Sequence, residues 1–293
     1  MCAQRDLKQI LPWAALELSA RALAPPRAAA ARARLPPAQP QQPPTRFSPI
    51  HKFLNINTKL SEVDFGCGRA LSLRLLSPSS DLMTFTERDI AASPLRGCLP
   101  FWAFLWPGGY AITRWILHAA SRVKGHVVVD IGSGCGGAAI CARLQGAAAV
   151  IANDTDAFAC MAVADNSRCN GALGITTCSA DLLPLLPLPC HAAAAVAQLE
   201  QLVPPPLSPA PRLLLLGDML YDHDVGLRAL ALADAAVARG WRVVTGDPGR
   251  CIAVSQARRL GKLVATYDLT QELRANNHGM TSASVYVAGG DAE

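Results

Sequence analysis

No apolar run in this sequence approaches the roughly 20 residues that a membrane-spanning helix requires. The leucines at 213–216 form far too short a stretch. A soluble chain without a membrane partner is therefore expected. Metal motifs are missing as well: none of the ten cysteines forms Cys-x-x-Cys, and none stands at zinc spacing from a histidine. No metal is expected, and the dispersed cysteines read as small apolar core residues in a reducing compartment. Acidic side chains are scarce in residues 1–50, where seven Arg or Lys face only Asp6 and Glu17. Beyond them the charge cancels, with 20 basic and 20 acidic residues left for 51–293. A nucleic-acid binder carries its positive excess on the folded domain. The missing excess argues against a DNA or RNA partner.

What is present is enough for one large domain with appendages: 293 residues, 51% of them hydrophobic. Residues 1–50 stand apart, rich in Ala, Arg, Pro and Gln, and dense in proline over 35–49. Leu7, Ile10, Leu11, Ala14 and Leu18 fall near one helical face. Arg-rich, acid-poor and amphipathic is the pattern of a mitochondrial transit peptide. Matrix localisation follows as the expectation, with a plastid address or an untargeted tail as alternatives. Residues 51–105 read as a small N-terminal segment packing on the core, and 106–290 as the main domain.

An α/β alternation runs through that domain. Strands are expected at 126–131, 148–153, 175–179, 213–216 and 241–245. Helices are expected at 138–145, 157–169, 225–239 and 253–260, with an earlier one opening at Pro107. Two final strands, 263–268 and 282–287, have no helix pattern between them and suggest an antiparallel hairpin at the sheet edge. Right-handed crossovers turn this order into one doubly wound, mainly parallel sheet of seven strands. The proline-dense stretch 184–212 reads as a surface insertion rather than core.

Val-Val-Val-Asp-Ile-Gly-Ser-Gly-Cys-Gly-Gly at 127–137 is the most informative segment. Strand, glycine turn and helix build a nucleotide site at the carboxyl end of the first strand. Gly132, Gly134 and Gly137 also satisfy the dinucleotide G-x-G-x-x-G pattern, a weak signal. Asp130 separates the readings. A dinucleotide phosphate is anionic, and a carboxylate two residues before the first glycine does not suit it. S-adenosylmethionine (SAM) carries a cationic ammonium and a cationic sulfonium, and no phosphate. Asp154, about 20 residues past the first glycine, is placed to accept hydrogen bonds from ribose hydroxyls. Asp181, after the third strand, stands where an adenine amino group would lie, or is a solvated loop acid of the kind turns favour. Asp218 and Tyr221, after the fourth strand, form an acid and a phenol beside the cofactor's reactive group. An acid there can hold an amine nucleophile.

These segments resemble the seven-β-strand (class I) protein-lysine methyltransferases, and among them the family acting on the electron transfer flavoprotein β subunit. The likeness rests on Leu71–Leu76 with Ser77-Pro78, on Trp102-Ala-Phe-Leu-Trp-Pro-Gly-Gly, and on Asp130-Ile-Gly-Ser-Gly-Cys-Gly. It continues through Ile151-Ala-Asn-Asp, Gly217-Asp-Met-Leu-Tyr-Asp, Gly246-Asp-Pro-Gly-Arg and Gly279-Met-Thr-Ser-Ala-Ser-Val, collinear from about 53 to 287. The resemblance implies a Rossmann-like, SAM-dependent enzyme methylating protein lysines in the mitochondrial matrix. It implies that Trp106, Gly132, Ser133, Gly134, Asp154 and Gly217 line the cofactor, and that Asp218 and Tyr221 form the lysine slot. Two features depart from the family pattern, the 184–212 stretch and Tyr110, and both are expected near substrate-facing edges. Methylation of a ribosomal protein or a small amine, an NAD(P)-linked oxidoreductase and a non-catalytic SAM-binding module are the alternative functions.

Overall fold

The computed structural model describes residues 49–290, apart from 67, 78, 96–98, 186–188, 208 and 278. The expected leader thus lies outside the described residues except for the start of helix α1 (Pro49–Asn57). An antiparallel ribbon follows, β1 (Thr58–Asp64) with β2 (Ala70–Leu76). Helix α2 (Glu87–Ala92), closed by a Thr86/Asp89 capping box, leads to α3 (Pro107–His118). The main alternation is β3 (Val127–Ile131), α4 (Gly137–Leu144), β4 (Ala149–Asn153), α5 (Ala157–Cys169) and β5 (Ile175–Cys178). Next come α6 (Pro189–Leu202), β6 (Arg212–Gly217), α7 (His223–Ala238) and β7 (Arg242–Asp247). The chain closes with α8 (Cys251–Ser255), β8 (Lys262–Asp268), α9 (Gln271–Asn276) and β9 (Ser282–Ala288).

The seven-stranded sheet has the order β5-β4-β3-β6-β7-β9-β8. The first five strands are mutually parallel, and β9 runs antiparallel to both its neighbours. β3 is buried along its whole length, as a parallel strand covered on both faces must be. β6 shows how the two faces divide. Leu213 and Leu215 join Ile112 and Ile116 of α3 and Ile140 of α4. Leu214 and Leu216 point the other way, to Val196 and Leu199 of α6 and Leu232 of α7. Side chains alternate across a strand, so a short leucine run serves both layers at once. Strand order reverses about β3, and ligands bind at the carboxyl edge of such a switch point.

The stretch 184–212 is not the surface insertion that its prolines suggested. It holds α6, whose Ala195, Val196 and Leu199 are buried in the core, with Val203 just beyond. Parallel β5 and β6 need a crossover, and α6 is that helix. The prolines bracket it, and Pro204 to Pro206 follow its end. Leu199→Ala is accordingly expected to cost about 2–5 kcal/mol in denaturant unfolding. A change within about 0.5 kcal/mol would match a surface site and contradict this packing.

Other expectations are corrected in detail. The final two strands are antiparallel neighbours, but α9 separates them in sequence. The helix expected at 253–260 is a single turn, α8, followed by a 3-10 segment at 257–259. Tyr110 faces no substrate edge: it is 1% exposed and stacks on Phe65 at 5.2 Å. Of the described cysteines, Cys135, Cys141 and Cys178 are buried, while Cys169, Cys190 and Cys251 are exposed and all are free thiols.

Two asparagines of α5 tie the N-terminal ribbon to the domain. Asn166 Oδ1 accepts the Arg74 N–H at 2.7 Å. Asn170 Oδ1 accepts the Ser72 N–H at 2.9 Å, and its Nδ2 donates to Ser72 O at 2.7 Å. Spaced one helical turn apart, they give the edge of β2 partners that it would otherwise need from another strand. Among the described residues, no helix is long and apolar enough to cross a membrane.

Candidate active site

The loop between β3 and α4 turns through Gly132, Gly134 and Gly136, at φ of +66°, +52° and +84°. These conformations suit glycine. At Gly132 a Cβ would also meet the Met219 side chain, which would have to move. The loop is pinned to β4: Ser133 N–H donates to Asn153 O at 2.9 Å, and Gly134 N–H to Asp154 Oδ2 at 3.0 Å. Asp154 Oδ1 accepts the Asp156 N–H at 3.0 Å. Burial pushes the Asp154 carboxyl up to about 6 against these hydrogen bonds. Asp130 is 3% exposed and accepts a backbone hydrogen bond from Ala139 in the first turn of α4. Burial, with a further push from Asp154, raises it to about 7.

Trp106, Asp130, Gly132, Ser133, Gly134 and Gly217 line one recess together with Phe104, Leu105 and Gly109. Trp106 is fixed there by its Nε1–H, which donates to Phe101 O at 2.8 Å. The Ser133 Oγ is buried without a hydrogen-bond partner in the protein, which leaves a polar group free for a ligand. An orphaned hydroxyl, a glycine cradle and two carboxylates at the strand ends suit SAM better than a pyrophosphate. These residues fit the cofactor.

Asp218 adjoins the recess through Gly217. It is a non-glycine residue at φ +56°, a strained position of the kind that concentrates at functional sites. The side chain is 6% exposed. Its Oδ2 accepts the N–H of Gly108 at the start of α3, and Oδ1 accepts both Nε (3.1 Å) and Nη2 (2.8 Å) of Arg250. Its own N–H donates to Gly246 O at 2.9 Å. Burial raises the Asp218 carboxyl, and Arg250 opposes the rise.

Tyr221 lies three residues on, at the rim, and is 43% exposed. Crowding around its hydroxyl, then the carboxylates of Asp222 and Asp154, pushes the phenol up to about 12. It is therefore protonated at neutral pH. Asp181 is drawn elsewhere: Oδ2 pairs with Arg228 Nη2 at 2.8 Å, and Oδ1 accepts the Leu183 N–H at 3.1 Å. Arg228 also donates to Pro184 O and Leu183 O, so Asp181 helps fasten the loop after β5 to α7.

Sequence reasoning assigned no role to Arg250, Asp247 or Gly108, although all three lie in blocks that carried the family likeness. The signals were a Gly-Asp-Pro-Gly-Arg turn at the end of β7 and a glycine pair at the start of α3. Gly108 lies against Gly246, and Gly217 against Gly109, so two glycine pairs bring the first turn of α3 onto the ends of β6 and β7.

The sheet order, the glycine loop after β3, the acid ending β4 and Asp-x-x-Tyr after β6 define a class I SAM-dependent methyltransferase. The ribosomal protein L11 methyltransferase (PrmA) family model matches residues 108–183. The electron transfer flavoprotein beta subunit lysine methyltransferase of Rattus norvegicus is 35% identical over 226 residues, 74% of this chain and 75% of that protein. The chain belongs to the electron transfer flavoprotein β subunit lysine methyltransferase family and is a SAM-dependent lysine methyltransferase. The Xenopus laevis relative of the same name is 34% identical over 219 residues, covering 74% of this chain and 78% of its own. A ribosomal protein L11 methyltransferase of Synechococcus sp. (strain RCC307) is 34% identical over 156 residues, about half of each chain (49% and 50%).

Proposed function

We propose that this enzyme methylates lysine side chains of the electron transfer flavoprotein β subunit. Family membership supports the substrate. The observation that carries the chemistry is the junction at Gly217 and Asp218, where the cofactor recess meets a buried carboxylate. SAM, when bound, supplies an electrophilic methyl group on a sulfonium. A lysine nitrogen would have to meet that carbon with its lone pair free, its proton having left to water. The protein's task is to position an uncharged amine in line, where most of the acceleration of such a displacement arises. Asp218 receives the amine, Tyr221 walls the approach as a protonated phenol, and Trp106 covers the recess. Asp154 and, when ionised, Asp130 set negative charge suited to the cofactor. In this reading Asp181 serves the adenine end through the loop it fastens.

We further infer a mitochondrial matrix location, supported by the Arg-rich, acid-poor composition of residues 1–50, and no nucleic-acid partner, supported by the charge balance beyond them. The test is to incubate the full chain with methyl-labelled SAM and a mitochondrial extract of its own source. One dominant labelled band at the size of the flavoprotein β subunit is expected. A labelled ribosomal protein, the reading that the L11 methyltransferase likeness favours, would keep the chemistry and overturn the substrate. Label confined to small molecules would overturn the protein substrate altogether. Calorimetric binding of NADH but not SAM would favour an oxidoreductase, and SAM binding without any transfer a non-catalytic module.

A further inference from the structure

Asp218 is not a free acid awaiting a substrate. Its Oδ1 holds two N–H groups of Arg250, at 3.1 and 2.8 Å, and Oδ2 holds the Gly108 N–H. Arg250 is itself fixed from below. Asp247 Oδ1 accepts the N–H of Gly249 at 2.7 Å and of Arg250 at 2.8 Å, closing the turn after β7. Gly249 at φ +94° lets that turn close. The Arg250 side chain is 14% exposed and that of Asp218 6%. Asp247, Arg250, Asp218 and the start of α3 therefore form one continuous chain of contacts. A carboxylate has roughly four lone-pair positions. Arg250 fills those of Oδ1 and the Gly108 N–H takes one on Oδ2, with the Gly109 N–H also directed at the carboxylate, so an arriving amine must approach from the Oδ2 side and compete there with the start of α3.

We propose that Arg250 is the positioning residue of the lysine slot. It clamps Asp218 so that Oδ2 alone receives the substrate amine, and its fixed positive charge favours the uncharged, nucleophilic form of that amine. A cation held near an ammonium raises the cost of the second charge. The same cation opposes the rise that burial imposes on the Asp218 carboxyl. The other charged and titratable groups bearing on the pair and the adjoining phenol are Asp247 of β7, Tyr221 and Asp222 after β6, Asp154 after β4 and Arg228 of α7. The N–H groups of Gly108 and Gly109 face Asp218 from α3. Among the described residues, Arg250 is the cation bonded to Asp218. This inference rests on the proposed protein-lysine substrate.

The test compares full-length wild type with Arg250→Gln and Arg250→Lys, using labelled SAM and purified flavoprotein β subunit. Both Asp218 and the amine should titrate higher once the cation is gone. The acid limb of the kcat–pH profile is thus expected to move up by about one to three pH units in Arg250→Gln, with SAM affinity unchanged. Arg250→Lys keeps the charge but loses the two-donor grip. Its limb should stay near the wild-type position while kcat falls roughly tenfold, one power of ten in rate. An unmoved limb in Arg250→Gln overturns the proposal, as does wild-type kcat in Arg250→Lys, which decides the matter if the Gln variant does not fold. A wild type that labels no flavoprotein overturns the substrate reading and this inference with it. An active wild type with unmoved variants overturns this inference alone.

Discussion

Asp218→Asn is expected to lower turnover by about a hundredfold, the loss that follows from misplacing a reacting group by an ångström, while SAM affinity stays within a few-fold. Asn tolerates the left-handed backbone that Asp218 adopts at φ +56°, so the loop should keep its path. The charge is what changes. Asp218 sets one carboxylate against two donors of Arg250 and one of Gly108, whereas an amide offers a single acceptor oxygen. Arg250 would lose its counter-charge and the amine its partner. The recess proposed for SAM is lined by Gly217 and not by the Asp218 side chain, so binding and turnover should separate. Methyl transfer from labelled SAM and calorimetric titration measure the two. Wild-type turnover in the variant would remove Asp218 from the mechanism.

Gly108→Ala is expected to destabilise the fold by more than about 4 kcal/mol, in the range reserved for severe steric lesions. A Cβ at this position would overlap Gly246 O and stand 2.6 Å from Gly246 C and 2.7 Å from Asp218 N. All three are backbone atoms at the ends of β6 and β7, and none can swing aside as a side-chain tip could. Relief requires α3 to lift from the sheet, which also breaks the hydrogen bond from Gly108 to Asp218. Gly109→Ala is the control. A Cβ at Gly109 meets nothing within 4 Å, and alanine in a helix is favoured over glycine by up to about 1 kcal/mol. Denaturant unfolding of the two variants should differ sharply. Equal stabilities would mean that α3 does not approach the sheet this closely.

The parts of the site visible in the sequence are those that one strand–turn–helix unit builds by itself. Gly132 and Gly134 follow β3 directly, and Asp154 lies 20 residues after Gly134, at the end of the adjacent strand. A crossover of that length brings the two strand ends together, so spacing along the chain is already spacing in the fold. Asp218 and Tyr221 were legible for a related reason: both lie just past the end of a leucine strand. Asp181 shows the limit. Its position after β5 was correctly read, but Arg228, 47 residues further on, takes up one of its oxygens.

Residues 184–212 misled because composition does not report packing. An alanine-rich helix between prolines looks like surface filler, yet Ala195, Val196 and Leu199 make a narrow apolar stripe that fits against α7 and β6. Tyr110 misled in the opposite sense, since its neighbour Phe65 lies in the N-terminal segment, away from any local motif.

Sequence by itself determined the parallel α/β sheet, the glycine loop after β3 and the acids ending its strands, because hydrophobic period, glycine turns and short crossovers are local. Only the tertiary structure decided the clasp of Arg250 on Asp218 and the seating of Gly108 against Gly246. Those contacts span 32 residues for the ion pair and reach from α3 to the end of β7 for the glycines. They exist because β6 and β7 are neighbours in the sheet and α3 lies across both. Which strand ends become neighbours is settled by burial of both faces of the whole sheet, and no local spacing encodes it.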